Sequence, residues 1–556
     1  MGSHRIHKTP EKTNFILAGS LAVVTFLVFL PALQNDFVNY DDLHYVVENP
    51  NIRTLNPAFL KWAFIDSQAI MWHPLAWLSH ALDYAVWGIN PSGHHLSSIV
   101  LHGVNTALVF WLVMRLIESG GRSGSGPVNL AMAAITALLF GLHPLRVESV
   151  VWISERKDVL SAFFYLLSLL AYLKYVRTSE ETRQYSLTRF LNRGYFYCLG
   201  FAVLALLSKL MAVTLPLVML ILDWYPLGRF GRGEGLKYLV VEKLPLIVLS
   251  LLLTIITVMP NNFEAVSDVS IAGVWTKCLI ACSALVFYVG KMIWPRDLIP
   301  LYPYPQDVSF LTYQYFIPFL LVIAITAGCV YLSGKRKLFL AAWCYYLITL
   351  LPVIGLIRIG PHSVADRYTY LPSLGPFLVI GLITTRVYEK LTGQSVRAKV
   401  LSSFIVLAMF ISISYATIRQ IGVWKDSIVL WNYVLEKNPG DWVAHFNLGL
   451  AYRFKGLLDK SIEQYKTTVR LQPGYVETYA NLCEAYRAKG SLDMAIRQCK
   501  TALWIEPDYA QAHFNLGLVY IDNGLTDMAR AEFELGLKIS PNDYRARQIL
   551  NSLISK

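Results

Sequence analysis

Charge is what this sequence has least of. Only 15% of its 556 residues are Asp, Glu, Lys or Arg, against 55% hydrophobic and 13% aromatic, and the mean hydropathy is +0.44. Soluble domains carry about a quarter charged residues, so a chain made only of soluble domains is excluded. Basic runs are short, none exceeding "GKRK" at 334–337. The formal net charge of +12 is scattered between apolar stretches, where Lys and Arg act as topology signals, and nucleic acid is not expected as a partner. The seven cysteines include no CxxC pair and no His-paired metal spacing, which speaks against structural zinc.

Long apolar segments are what the chain has in plenty. A helix needs roughly 20 apolar residues to cross about 30 Å of hydrocarbon. Candidates lie near 14–33, 96–117, 128–142, 158–176, 194–211, 212–225, 244–260, 312–333, 338–356, 371–388 and 399–418, about eleven spans. The first is too long for a removable signal peptide and lacks a small-x-small cleavage site, so it is expected to stay as a helix. Short loops rich in Lys and Arg remain cytoplasmic. Arg5, Lys8 and Lys12 place the N-terminus inside, and residues 174–193, 229–243, 335–337 and 386–399 carry five, four, three and four basic residues. These markers agree if 271–294 does not cross. Its apolar centre "CLIACSALVFYVG" has thirteen residues between Lys277 and Lys291, which suits an interfacial or re-entrant helix on the outer face. The first loop, 34–95, with six acids and two bases, then lies outside, as does everything after about 418.

Past residue 440 a period of 34 appears. Asn447, Asn481 and Asn515 recur at that spacing, as do Tyr452, Tyr486 and Tyr520, Gly456, Gly490 and Gly524, and Pro439, Pro473, Pro507 and Pro541. This is a tetratricopeptide array, with a small residue where paired helices touch, a glycine between them and a proline after the second. Cys483 takes the small-residue position in the middle repeat. Residues 421–441 read as a connecting half repeat, 442–556 as the repeats with a capping helix, and 1–420 as the membrane domain. Cys483 and Cys499 fall on facing sides of one hairpin. Two buried free thiols are the expectation, a disulfide the alternative, and the Cα separation decides.

The residues that carry chemistry begin in "FVNYDDLHYVVENP", 37–50. Asp41 and Asp42 start within ten residues of the first helix end, His44 follows, and the loop is aromatic, with Trp62, Trp72, Trp77, Tyr84 and Trp87. So long and apolar a loop is expected to fold, as amphipathic helices on the membrane. Lys209 lies between the apolar runs "LALLS" and "LMAVTLP", where an unpaired ammonium is costly and usually functional. Arg367 stands beside Asp366. Arg146 and Arg358 are further cation candidates, and His143, Arg146 and Glu148 in "HPLRVES" are placed to orient a substrate. His94 and His95 read as surface residues.

These stretches carry a resemblance. "FVNYDDLHY" is similar to the first-loop acidic motif of the GT-C superfamily of membrane glycosyltransferases. "WHPLAWLSHALDYAVWGINPSGHHLSSIVLH", "LHPLRVESVVWISERKDVLSAFFYLLSLLAY", "LSKLMAVTLP" and "DRYTYLPSLG" resemble, in order, segments of the transmembrane and tetratricopeptide-repeat-containing O-mannosyltransferases. The resemblance implies an all-α fold, a polytopic helical bundle followed by a solenoid. It also implies transfer of a sugar from a polyprenyl phosphate to a hydroxyl of a protein acceptor on the outer side, with inversion. Asp41 then acts as base with Asp42 beside it, Lys209, Arg367 and Arg146 hold the donor phosphate, and His44, His73, His143, Glu148, Asp366 and Tyr370 orient the substrates. Membrane lipids surround it and the repeats recruit the acceptor. The lipid-linked sugar is a substrate, no cofactor is assigned, and a divalent metal is left open. Leu210 stands where those relatives have an acid and His73 where they have an Arg, so the sugar is not carried over. The alternative is a non-catalytic membrane-anchored repeat scaffold. A transporter, which would spread ionisable residues through mid-membrane depths in repeated halves, is disfavoured. The absence of any Asn-x-Ser/Thr sequon points to a bacterial inner membrane with the repeats in the periplasm.

The topology is checked by an Asp527→Cys variant in intact cells. A membrane-impermeant maleimide should label it rapidly, and protection until lysis would reverse the assignment of sides.

Overall fold

The computed structural model describes residues 11–65, 72–121, 126–181, 192–231, 236–258, 273–304, 308–355, 362–392 and 395–554. Two compact units emerge, one formed by Met1–Phe37 with Asp41–Lys425, the other by Val38–Tyr40 with Asp426–Lys556. Both are helical. In the first, α1 (Glu11–Phe29) is followed by α2 (Pro57–Ile65) and α3 (Pro74–Trp87) of the first loop, then by α4 (Pro91–Ser119), α5 (Pro127–Leu142), α6 (Val147–Val151), α7 (Arg156–Glu181) and α8 (Arg193–Ser208). The series continues with α9 (Leu215–Trp224), α10 (Leu236–Val258), α11 (Val274–Ile293), α12 (Tyr313–Ser333), α13 (Lys337–Leu350), α14 (Leu374–Thr392) and α15 (Val396–Val423). Among the described residues the only strands, β1 (Tyr302–Pro303) and β2 (His362–Val364), form one antiparallel pair.

Among the described residues, seven segments are long and apolar enough to cross a membrane: Lys12–Gln34, Pro91–Ser119, Ile153–Ser179, Leu236–Thr257, Val274–Ile293, Tyr313–Ser333 and Val396–Val423. The bent pair Pro127–Leu142 and Pro144–Val151, turned by 54°, makes an eighth if it is one span, and Arg193–Ser208, Leu210–Trp224 and Lys337–Val353 are apolar but shorter. The protein is an all-α integral membrane protein carrying a repeat solenoid. Three expectations change. Residues 371–388, expected to span, are not among these segments, the helix there being α14 with Arg386, Glu389 and Lys390 in its last turns. The stretches 194–211 and 212–225 become helices of 16 and 10 residues, because the chain turns extended at Lys209 and then makes a short turn over Leu210–Thr214. Residues 271–294, expected to be interfacial, form one continuous helix of 20 residues, with Lys277 and Lys291 near its ends and a length that matches the hydrocarbon.

Proline opens several helices, at Pro74, Pro91 and Pro127, where its fixed φ suits the first turn and its missing N–H goes unused. Helix α4 is central, packed on α1, α5 and α7. Small residues let backbones approach. A Cβ on Gly103 would fall 3.1 Å from the Ala22 carbonyl oxygen, and one on Gly381 of α14 would fall 3.1 Å from that of Met132 on α5. The first loop is folded, as expected, around its own apolar core of Tyr45, Val46, Ile52, Phe59, Ala63, Trp77 and Ala81, closed by Ile153.

The second unit contains α16 (Ser427–Lys437), then the pairs α17 (Trp442–Phe454) and α18 (Leu458–Leu471), α19 (Val476–Ala488) and α20 (Leu492–Ile505), α21 (Ala510–Asp522) and α22 (Thr526–Ile539), and finally α23 (Tyr544–Ile554). Gly456, Gly490 and Gly524 have φ of +72°, +79° and +75°, and in each turn the next residue's N–H donates to the carbonyl of the recurring tyrosine, at 2.8–2.9 Å. This is a helix stop that requires glycine. Gly449 and Gly517 back onto the rings of Tyr465 and Phe533. At the equivalent place in the middle pair, Cys483 is bonded to Cys499, with Cα atoms 5.3 Å apart. The expected free thiols are therefore replaced by a disulfide. Asn39, counted with this unit, donates to the Asn447 carbonyl at 2.7 Å and accepts from Trp431 Nε1 at 2.7 Å.

The bond closes a loop across a sequence separation of 16, which corresponds to about 3 kcal/mol of stability. Mild reduction should lower the denaturant midpoint of the repeat unit accordingly, followed through Trp442 and Trp504 fluorescence. An unchanged midpoint would mean the thiols are free.

Candidate active site

Helix ends of the first unit bring together charges that are far apart in sequence. The first loop is tied on both sides of its acids. Asn35 Nδ2 and the Asp36 N–H donate to the carbonyls of Ile421 and Lys425, at 3.0 and 2.8 Å. Asp42 is buried and accepts from the N–H and hydroxyl of Ser154, at 2.9 and 2.5 Å. Asp41, held between these ties, is half-buried. Among the described residues no side chain hydrogen-bonds its carboxylate, although Lys157, Glu155, Arg367 and His44 act on it electrostatically. Burial pushes its pKa above the usual carboxylate range, and Lys157 only partly offsets this.

The cation side is built around Glu155, just before α7. Its carboxylate meets Lys157 Nζ at 3.1 Å, Lys209 Nζ at 3.0 Å and Arg367 Nε at 3.5 Å. Lys209 also donates to Asp158, at 2.6 Å. Arg367 is clamped by Glu148, which pairs with its guanidinium and accepts its backbone N–H at 2.8 Å. Lys157 lies 4.9 Å over the Tyr45 ring, itself stacked on Trp77 at 4.5 Å. Asp366 accepts from the Tyr302 hydroxyl at 3.1 Å, and burial, reinforced by Glu148, raises its pKa well above the usual range. His73, at the N-cap of α3, is buried against the cluster. Burial, with Lys157 and Lys209 nearby, pushes its pKa down to about 3, so at neutral pH it is an uncharged imidazole.

Asp41, Lys209, Arg367, Glu148, Asp366 and His73 are thus brought into one neighbourhood. Others are placed elsewhere. The Arg146 guanidinium is enclosed, and its terminal nitrogens donate to the carbonyls of Thr369 and Tyr370 and the hydroxyls of Thr369 and Ser373, which holds the loop behind Arg367. Tyr370 is bonded through its hydroxyl to His102 and Asn105, and His143 to Leu145 N and the Met292 carbonyl, so both are core residues. His44 is exposed. His94 and His95, expected on the surface, are buried, His94 against the Gly88 carbonyl. Arg358 lies outside the described residues. No group of His, Cys, Asp and Glu able to hold a metal occurs among the described residues.

Three of the residues in the cluster, Glu155, Lys157 and Asp158, escaped the reading of the sequence. The signal was the quartet "ERKD" at the head of the apolar run Ile153–Ser179, the same rule that singled out Lys209. Arg156, between them, turns away to pair with Asp83 and bond Ser98.

A polytopic helical membrane domain with an acid–base cluster at its helix ends, joined to a tetratricopeptide solenoid, is the class these features define. A TPR repeat model matches residues 483–524, and a Tetratricopeptide repeat model matches 443–475 and 510–543. Across most of its length the chain resembles proteins named protein O-mannosyl-transferase. It is 25% identical to human TMTC4 over 498 residues, covering 81% of this chain and 65% of that protein, and 24% identical to mouse TMTC3, covering 78% and 49%. With Drosophila melanogaster Tmtc1 it shares 32% identity over 199 residues, 34% of this chain and 22% of that protein. It therefore spans less than two thirds of the length of these curated relatives.

The clamp on Arg367 gives a stability test. Arg367→Met leaves Glu148 buried without its guanidinium and should cost about 3–5 kcal/mol, read by thermal unfolding. Adding Glu148→Gln should recover most of the loss, whereas additive losses would show that the two side chains act separately.

Proposed function

We propose that this chain is a membrane glycosyltransferase that moves a sugar from a polyprenyl phosphate to a hydroxyl of a protein acceptor, with inversion at the anomeric carbon. The observation that carries the reading is the half-buried carboxylate of Asp41 beside Lys157, Arg367 and the Lys209 pair with Glu155. The acceptor oxygen bonds to the anomeric carbon as the bond from that carbon to the phosphate oxygen breaks, and the polyprenyl phosphate leaves with the electron pair. Asp41 takes the acceptor proton. A base with a raised pKa suits that task better than an ordinary surface Asp. Lys209, Arg367 and Lys157 face the negative charge that grows on the leaving oxygen. Asp42, spent on Ser154, sets the position of its neighbour.

The names of the relatives support the reaction class. The disulfide between Cys483 and Cys499 supports an oxidising compartment for the repeats, as disulfides persist on the outer side of a bacterial inner membrane and in secretory lumens. We assign the repeats to acceptor capture, the commonest work of such arrays being to hold peptides or partner proteins. A scaffold would gain nothing from keeping these charges out of water, where each costs several kcal/mol unless paired.

Purified protein with polyprenyl-phosphate sugars and a Ser/Thr-rich acceptor tests the assignment. Asp41→Asn should lower transfer by about two to four orders of magnitude, with donor binding retained. The base works ionised, so kcat/KM should fall as pH drops through a pKa above the ordinary value of about 3.9 and level off at higher pH. Wild-type turnover in Asp41→Asn, or an acid limb at the ordinary value, would remove Asp41 from the mechanism.

A further inference from the structure

The solenoid begins on the second helix of a pair. In the complete pairs the second helices carry two fully buried rows at a spacing of 34, Ser461, Ala495 and Ala529, then Tyr465, Cys499 and Phe533. The latter row meets the small residue of the first helix, Gly449, Cys483 or Gly517. In the first complete pair the Ser461 hydroxyl also donates to the Gly449 carbonyl, at 2.7 Å. One period earlier the same two places fall in α16, on Ser427 and Trp431. The first helix of that pair would lie 34 residues before α17 (Trp442–Phe454), at 408–420, and those residues belong to α15 of the first unit. Helix α16 is thus a second helix without a first helix of its own in the solenoid.

Three residues of the first loop take the missing helix's place. Val38–Tyr40 are counted with the second unit. Trp431, as buried as its counterparts, donates from Nε1 to Asn39 Oδ1 at 2.7 Å, and the Tyr40 ring meets it edge-on at 5.4 Å. The Ser427 hydroxyl accepts from the Asn39 N–H at 2.9 Å, as Ser461 bonds the backbone of Gly449. Asn39 therefore meets on α16 the same two places that Gly449 meets on α18, and its Nδ2 reaches the Asn447 carbonyl of α17 at 2.7 Å. Its backbone N–H and both ends of its amide are all used on the solenoid. Asp41 follows two residues later, a reach of at most about 7 Å.

We propose that Asn39, Ser427 and Trp431 are positioning residues: the segment that completes the first pair of the solenoid runs directly into the base, so the solenoid helps to set where the Asp41 carboxylate stands, in addition to capturing an acceptor. The proposal rests on the role given to Asp41 above. Its physical basis is chain continuity. One peptide bond joins Tyr40 to Asp41, and Asp42 is held by Ser154, so the base has a fixed neighbour on each side. Freeing Asn39 releases one of them. The carboxylate then gains water and loses its orientation, and a displacement of about 1 Å costs up to about a hundredfold in rate. Capture alone would act on acceptor affinity. Positioning acts on turnover, even for an acceptor too small to be held by the repeats.

The test uses the full-length protein in lipid nanodiscs, a polyprenyl-phosphate mannose as donor, and two acceptors, a long Ser/Thr-rich peptide and N-acetylserine methylamide. Asn39→Ala removes both amide bonds. Ser427→Ala removes one hydrogen bond at a place where the two later pairs carry alanine, so it keeps the helix packing and covers the loss of the first variant to misfolding. Asn39→Ala should lower kcat about tenfold or more with both acceptors at unchanged KM, and Ser427→Ala should do so to a smaller degree. In both, the acid limb of the pH profile should move down towards the ordinary carboxylate value, because a freed Asp41 loses the burial that raises its pKa. A further readout needs no turnover. In an Asp41→Cys background, Asn39→Ala and Ser427→Ala should each make the introduced thiol react several-fold faster with a membrane-impermeant maleimide, read at that residue by mass spectrometry. Wild-type kcat, acid limb and alkylation rate in the folded variants, or a loss confined to KM for the long peptide, would overturn the proposal. Faster alkylation together with full turnover in Asp41→Asn would leave the tether standing and remove the base, whereas an inactive Asp41→Asn beside fully active tether variants would do the reverse.

Discussion

Glu155 is the shared counter-charge of the first unit. Lys157 comes from the same helix end, Lys209 from the break between α8 and α9, and Arg367 from the loop before α14, and all three meet one carboxylate. Each of these ions would cost several kcal/mol to keep out of water alone. Sharing one acceptor makes their positions interdependent: the break at Lys209, the turn over Leu210–Thr214 and the loop carried by Arg146 are fixed by where Glu155 stands. Pro216, which lacks an N–H, independently keeps α8 from running on into α9.

How much of this was legible depended on the kind of signal. The repeats announced themselves through period, and their glycines and tyrosines occupy the turn that the spacing implied. Lys209 stood out because charge in an apolar setting is expensive, and Asp41 because it is one of two adjacent acids close behind the first helix in an aromatic loop. The same rule applied to Glu155, Lys157 and Asp158, but there the charges sit beside a helix start and look like ordinary first-turn residues. Arg146 and Tyr370 were legible as unusual but not in their use, because whether a guanidinium faces a ligand or a main-chain carbonyl depends on a loop more than two hundred residues away. Residues 271–294 misled through counting: Lys277 and Lys291 shorten the apolar run, yet both lie near the helix ends, where a long side chain reaches the interface.

Helix α7 carries two charge clusters of different character. Near its start, Glu155 and Asp158 face Lys157, Lys209 and Arg367 with Asp41 close by. Fifteen residues after Lys157, about 22 Å along the helix, Tyr172 enters the network of Asp223, Arg229, Glu242 and Lys243. In that second network each acid is matched by a base and the hydroxyl bridges them, an arrangement that favours rigidity. The first includes a carboxylate that no described side chain binds. The contrast separates a closed ionic buckle from a cluster that holds one carboxylate outside its hydrogen bonds.

The ties at Asn35, Asp36 and Asp42 give the first loop an unusual economy of length. Between Asp36 and Asp42 only five residues remain, and the last of them is Asp41. With so few residues between the ties, an inserted residue would change where the Asp41 carboxylate stands relative to Asp42 and Ser154. Exchanging this loop between relatives is thus a problem of length before it is one of chemistry: a graft keeps its acid in place only if the spacing is kept and Ser154, on another part of the chain, travels with it.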